Sequence, residues 1–383
     1  MFERVFKLSE HKTTVKTEVM AGITTFMTMA YILAVNPSVL GSTGMDTTAV
    51  LLATALASCL GTLCMAFMAN LPFALSAGMG LNAFMAYTVV AGYGYSWQVA
   101  LLAVFIEGLI FIVLSLTNIR EAIFNAIPLT LKKGVSVGIG LFIAFIGLQN
   151  SGLCVDSATL VGIISFPENF HTAGICALLT LIGLFFTAVF YTRKMKGAIL
   201  YGILLTWILG MLCQVTGLYV PTPDAGFYSL FPSWGMTDFS RLGLTFGQCF
   251  NVDFSAVGIV NFIVVIFSFL FVDIFDTLGT LIGVATKAKM LDKDGKLPGI
   301  KPALMADSIA TSAGAILGTS TTTTFVESAS GVAVGGRTGL TALVTGILFL
   351  VSTLFAPIFT AIPSFATAPA LIMVGFLMVG TVT

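Results

Sequence analysis

Apolar runs of about twenty residues recur along the whole chain, and they limit its fold more than any other feature. A helix of roughly 20 residues crosses the ~30 Å hydrocarbon layer of a bilayer. The runs are continuous rather than alternating, which argues against a β-barrel. Only 9% of the 383 residues are charged, against about 25% in a soluble domain. That is too little polarity to cover a water-facing surface. The chain reads as an all-α polytopic protein whose main partner is the lipid bilayer.

The spans fall at about 19–40, 49–69, 74–91, 98–117, 131–150, 172–192, 197–219, 256–285, 303–319, 325–335, 339–358 and 365–382. The third and tenth are short and rich in Gly, Ser and Thr, as in broken spans. The opening MFERVFKLSEHKTTVKTE is polar and mixed in charge, unlike a cleavable signal. With this end cytoplasmic, sixteen of the seventeen Lys and Arg lie on the cytoplasmic side and only Arg241 lies outside. That split follows the positive-inside rule. It predicts a multi-pass protein of the cell membrane, with a cytoplasmic segment over 1–18, spans one to seven over 19–219, an extracytoplasmic loop over 220–255 and the remaining spans over 256–383.

Several classes drop out. Net charge is zero, so no nucleic-acid partner is expected. His11 and His171 both lie outside the spans, which excludes a histidine-rich metal site. The six cysteines form no CxxC pair; Cys154 and Cys249 fall in loops and could meet.

No Lys or Arg lies well inside a span, yet five acids do: Glu107, Asp273, Asp276, Asp307 and Glu327. An ionised carboxylate at the bilayer centre costs about 2.5–3.5 kcal/mol. With no base in the same spans, the compensation must come from a water-filled cavity, a polar ligand, a cation or protonation. Asp273 and Asp276 are spaced i, i+3 and so share a helix face, which Thr280 continues. The plainer alternative is a helix–helix polar contact. Glu327 follows four consecutive threonines, which favour extended backbone, and precedes small residues. This predicts a strand leading into a half-helix that starts near Val326 with free N–H groups; a kinked packing helix is the alternative. Residues 71–87, LPFALSAGMGLNAFMAY, make a matching break before Asn82 and Phe84. Asn82 could equally be helix–helix glue. Asp307 suits either a structural hydrogen bond or a coupling role, and Glu107 reads as structural.

The order of long helix, helix and broken span occurs twice. Thr28 to Asn82 and Asp273 to Glu327 are both separations of 54 residues. Seven spans precede the second set, and an odd number inverts it in the membrane. Inverted repeats with broken helices are a transporter pattern.

These stretches carry a resemblance. FKLSEHKTTVKTEVMAGITTFMTMAYILAVNP, SAGMGLNAFMAY, FVDIFDTLGTLIGVA and STTTTFVESASGVAVGGRTGL resemble the AzgA-like purine permeases. These belong to the nucleobase–cation symporter-2 group, also called nucleobase–ascorbate transporters, of the xanthine/uracil permease family. The resemblance implies a UraA-like fold, a 7+7 inverted repeat with core and gate domains and short strands preceding half-helices in spans three and ten. Family members have fourteen spans, and this chain, ending LIMVGFLMVGTVT, shows twelve. By resemblance Asp273 and Asp276 match the functional acids of span eight, Glu327 the acid of span ten and Asn82 the asparagine of span three.

The expected function is import of a purine nucleobase, guanine or hypoxanthine first and adenine second, with a co-transported proton, no other cofactor and no enzymatic step. Glu327 and Asp273 would accept the N–H groups of the base, with Asn82, Thr28 and the half-helix starts nearby and Phe84, Phe325 or Phe275 against the ring. Asp273, Asp276, Glu327 or Asp307 would carry the proton, and rocking of core against gate would give alternating access. Dimers are common in this fold, so a homodimer is among the expected partners. An anion transporter of the same fold would want a cation in the spans. An intramembrane aspartyl protease would want its two aspartates on separate helices.

Overall fold

A computed structural model describes residues 2–117, 119, 128–157, 160–222, 226–232, 235–253, 257–291 and 297–379. Of the basic residues that orient the spans, Arg120, Lys293 and Lys296 lie outside these. A short α1 (Phe2–Phe6) precedes α2 (Val15–Met29) and α3 (Ile32–Gly41), one span broken at Ala30 and Tyr31. Helix α4 (Thr47–Cys64) continues through π-helical turns to Ala69. Strand β1 (Leu75–Ala77) leads into α5 (Met79–Ala83), which also runs on in π-helical turns, to Gly92. Then come α6 (Trp97–Leu116), α7 (Leu129–Asn150), β2 (Val155–Ser157), β3 (Leu160–Gly162), α8 (Phe166–Asn169), α9 (Ile175–Thr192) and α10 (Ala198–Val215). The last part holds α11 (Ile259–Ala288), α12 (Ile300–Leu317), β4 (Thr322–Thr324), α13 (Ser328–Val334), α14 (Gly339–Ser352), α15 (Ala356–Thr360) and α16 (Ser364–Val379).

Each predicted span contains a helix or a strand followed by a helix. Among the described residues, seven stretches from Val15–Gly41 to Gly339–Thr360 are long and apolar enough to cross a membrane, and Met79–Gly92, Val137–Asn150 and Ser364–Val379 are shorter apolar helices. Local chemistry sets the ends. The side chains of Thr14, Asp46, Ser96 and Thr338 accept a backbone N–H at the starts of α2, α4, α6 and α14. Gly318 and Gly335 end α12 and α13 at φ 103° and 117°, where a side chain would be strained. All six cysteines are free thiols, so Cys154 and Cys249 are not paired.

The chain divides into two units. The first comprises Met1–Val135 and Thr237–Ala356. In it α12 packs against α6 and α4, and α14 against α2 and α4. Small residues allow this: Gly108 faces Ser312, and Gly61 faces Ala310. A loop of 3-10 turns reaches the C-terminus of α12, where Gly247 donates its N–H to the Ile316 carbonyl at 2.7 Å. Arg241 in that loop meets Asp46 at 2.6 Å.

The second unit comprises Ser136–Met236 and Pro357–Thr383. Helices α9 and α10 pack by a reciprocal contact, Thr206 over Gly183 and Thr187 over Gly202. Thr180 donates to the Phe365 carbonyl at 3.0 Å, and Trp207 Nε1 to that of Leu230 at 2.8 Å. A cavity of about 510 Å³ in this unit, lined by Asn150, Cys176, Tyr219, Leu230 and Phe365 among others, contains none of the intramembrane acids.

Candidate functional site

The site is built on a two-stranded ribbon inside the first unit. β1 and β4 pair antiparallel, Leu75 opposite Thr324, Ser76 opposite Thr323 and Ala77 opposite Thr322, and all six residues are buried. A ribbon this short leaves both outer edges without a strand partner. One threonine covers each edge. Thr62 of α4 accepts the Leu75 N–H at 3.0 Å and donates to the Leu75 carbonyl at 3.2 Å. Thr311 of α12 does the same for Thr322, at 3.3 and 3.0 Å.

The polar run from Thr319 to Thr323 then reaches a different element with nearly every residue. Thr319 accepts from Asn36 on α3 at 3.0 Å, and Asn36 also donates to Thr54 on α4 at 2.7 Å. Ser320 bonds Asn82 on α5. Thr321 donates to Glu107 on α6 at 2.8 Å, so Glu107 has a structural bond, as its lone position in the span predicts. Thr323 donates to Asp276 on α11 at 3.3 Å. Both expected strand-to-helix breaks are present. The second half-helix begins two residues later than expected, at Ser328, because a turn intervenes. The Ser328 and Ala329 amides, expected to be free, donate to the carbonyls of Phe325 and Val326 at 3.1 and 3.0 Å.

The acids sort into two groups. Asp273 is fully buried and half-buried Asp276 is not. They share an i, i+3 face yet meet different neighbours. Thr277 lies within hydrogen-bond distance of both Asp273, at 2.8 Å, and Asp307 of α12, at 3.1 Å. Asp276 meets the ribbon instead. Glu327 is half-buried and accepts from the hydroxyl of Tyr31 at 2.7 Å. Thr28 bonds Ser330 at 2.8 Å, tying α2 to α13.

Asn82 is 1% exposed, and among the described residues its Nδ2 has no hydrogen-bond partner. Phe84 stands edge-on to Phe269, with ring centroids 5.0 Å apart. Phe325 and Phe275 are buried. The geometry therefore joins Thr28, Asp276 and Glu327 through the ribbon and α13, puts Asn82 at the ribbon's end, and gathers fully buried Asp273 and Asp307 around Thr277. No Lys or Arg occurs in α2, α3, α5 or α13 beyond Lys16, and α11 is free of both until Lys287.

Sequence reasoning missed four participants. Tyr31 carries no charge signal. Thr277 was findable, since i, i+4 from Asp273 is one helical turn. Asn36 reads as an ordinary helix residue before Pro37. Glu18 was assigned to the cytoplasmic segment, but α2 starts at Val15 and buries it completely. Its carboxylate accepts the N–H groups of Arg337 and Thr338 at 2.9 and 3.3 Å, and the Thr341 hydroxyl at 2.6 Å.

A family described as Permease family, Xan_ur_permease, matches residues 16–383. The chain belongs to this permease family. It is 47% identical over 384 residues to "Guanine/hypoxanthine permease PbuG" of Bacillus subtilis, covering 98% of this chain and 82% of that one. It is 43% identical over 382 residues to "Adenine permease AdeP" of Escherichia coli, covering 99% and 80%. In fold it is similar to the transmembrane domain of BicA, a cyanobacterium bicarbonate transporter, with a TM-score of 0.68 at 16% identity over 95% of this chain and 88% of that one. The permease is thus a multi-pass membrane protein of UraA-like fold, as the family resemblance implies.

Proposed function

We propose that this permease imports purine nucleobases across the cell membrane, its N-terminus cytoplasmic, with a proton as the coupled ion. The observation that carries the reading is the pairing of two half-buried acceptors, Asp276 and Glu327, around one ribbon, with no Lys or Arg in α13 and none in α11 before Lys287, about three turns beyond Asp276. A purine is flat, neutral and rich in N–H groups, so carboxylates suit it as acceptors. An anion would meet repulsion there. The alternative drawn from the bicarbonate transporter of similar fold therefore lacks a site, and fold likeness alone does not transfer a substrate.

Asp276 and Glu327 accept from the base, and the Nδ2 of Asn82 supplies a donor for a ring nitrogen or carbonyl. Asp273 is too deeply buried to be the first acceptor for the base. It belongs with Thr277 and Asp307 as the proton-holding group. One hydroxyl has one hydrogen, and two carboxylates bond the Thr277 oxygen. When a proton sits on one of them, both bonds form at once; without it, only one can. Loading that proton and the base together, then exposing both to the other side of the membrane, gives symport.

The relatives named as guanine/hypoxanthine and adenine permeases support the purine class and leave both edges of the ring open. The 6-oxopurines come first, because the N1–H and exocyclic amine of guanine offer paired donors to one carboxylate. The test is uptake of radiolabelled hypoxanthine into cells lacking purine permeases, with guanine, adenine, xanthine and uracil as competitors, with and without a protonophore. Competition by guanine, lost with protonophore, supports a 6-oxopurine–proton symporter. Competition by adenine moves the chain to adenine. Normal uptake by Glu327→Gln or Asp276→Asn at wild-type membrane levels would sink the site assignment.

A further inference from the structure

We infer that Tyr31 is a positioning residue for Glu327, and that it sets how tightly the site holds a ring bearing N–H donors. The inference rests on the purine reading for the identity of the ring. It rests on the structure for the link itself.

Tyr31 sits where the first span breaks, between the end of α2 and the start of α3. It is 1% exposed, so its ring is fixed by packing on all sides. Its hydroxyl donates to Oε1 of Glu327 at 2.7 Å, a charge-assisted geometry. A second link runs in parallel. Thr28, one turn earlier, bonds the Ser330 hydroxyl at 2.8 Å, and Ser330 donates to the Glu327 backbone carbonyl at 2.7 Å. The broken first span thus holds Glu327 at both its side chain and its backbone.

The consequence is geometric. A glutamate has three rotatable side-chain bonds, and a half-buried one with no fixed partner samples several rotamers. Tyr31 takes one lone pair on Oε1 and thereby fixes the plane of the carboxylate. A carboxylate offers about four acceptor positions, so this half-buried one keeps capacity for a ligand beyond the Tyr31 bond. A ligand meeting a pre-set acceptor loses less ordering entropy on binding. Removing the hydroxyl should therefore weaken binding while leaving the translocating step itself alone.

The experiment compares wild type, Tyr31→Phe, Glu327→Gln and the double variant in hypoxanthine uptake, with membrane abundance measured for each. Tyr31→Phe keeps the ring and so the packing. A hydrogen bond to a charged group of this kind corresponds to a KM about tenfold to a hundredfold higher, with Vmax per transporter little changed. The double variant should bind no worse than Glu327→Gln, because Tyr31 acts only through Glu327. An unchanged KM in Tyr31→Phe, or additive losses in the double variant, overturns the assignment. If wild type at normal abundance takes up no purine, the function reading falls instead. The Tyr31 link is then decided on ligand-free protein by infrared spectroscopy: the carboxylate band that disappears in Glu327→Gln must move in Tyr31→Phe, and a band that stays in place overturns the link.

Discussion

Glu18, near the start of the first span, accepts the backbone N–H of Arg337 at 2.9 Å, across 319 residues of sequence. With Thr338 and Thr341 it completes a cap on α14. Asn70 adds the last piece, accepting the Gly339 N–H at 2.9 Å. The N-terminus of a helix leaves several N–H groups without partners and carries partial positive charge. A fully buried carboxylate there is compensated by the helix rather than by a cation.

Glu18→Ala should leave the Arg337 and Thr338 amides without their acceptor, take the shorter of two bonds from the Thr341 hydroxyl, and lower stability by about 2–4 kcal/mol. Glu18→Gln keeps the shape and loses the charge, and should fall between Glu18→Ala and wild type. Thermal melting in detergent checks both. Equal melting of Glu18→Ala and wild type would mean the cap contributes nothing.

The ribbon edges make a second case. Thr62→Val and Thr311→Val preserve volume and remove the single hydroxyl that serves both backbone groups of Leu75 or Thr322. Each buried orphan costs about 1–3 kcal/mol, so each variant should lose stability and uptake together. Thr62→Ser and Thr311→Ser, which keep the hydroxyl, should recover most of both. If valine is tolerated as well as serine at either position, the edges are satisfied some other way.

Much of this architecture was legible because the bilayer enforces it. Spans follow from run length, and the breaks at Pro72–Gly80 and at Thr321–Thr324 follow from residues that disfavour helix. The acids stood out because their cost in hydrocarbon is high. What could not be read was partnership. Asp273 and Asp276 look alike in the sequence, and only the fold sends one to the Thr277 hydroxyl, which also meets Asp307, and the other to Thr323. Tyr31 and Thr62 act through single hydroxyls that leave no pattern. Glu18 was missed because a cap from Thr14 starts the helix earlier than hydropathy suggests.

Close packing at the same junction yields a third expectation. A Cβ on Gly339 would lie 2.9 Å from the backbone carbonyl carbon and Cα of Ala66. Backbone cannot move aside as a side chain can. Gly339→Ala should therefore cost about 1–3 kcal/mol through overpacking and displace the start of α14 from Glu18 and Asn70. Gly94, whose Cβ would meet nothing within 4 Å, lies at φ 72°. Gly94→Ala should show only the smaller cost of backbone strain, about 1–2 kcal/mol. Melting temperatures of the two variants test the ranking, and a larger loss at Gly94 would contradict it.

The shared hydroxyl of Thr277 makes the sharpest prediction about coupling. In wild type, both of its bonds to Asp273 and Asp307 need one added proton. Asp307→Asn supplies a permanent hydrogen from its own amide. Thr277 can then accept from Asn and donate to Asp273 with no proton from solution. Exchange of labelled for unlabelled purine across the membrane should survive in this variant, because the proposed acceptors of the base, Asp276 and Glu327, are unchanged. Accumulation against a gradient should disappear, and the dependence of uptake on external pH should flatten, whereas wild-type uptake should rise as external pH falls. Thr277→Val removes the bridge and should impair both exchange and accumulation. Counterflow and concentrative uptake in proteoliposomes with an imposed pH gradient separate the two. An Asp307→Asn protein that still concentrates purine, and still stops when protonophore is added, would show that the coupling proton sits elsewhere.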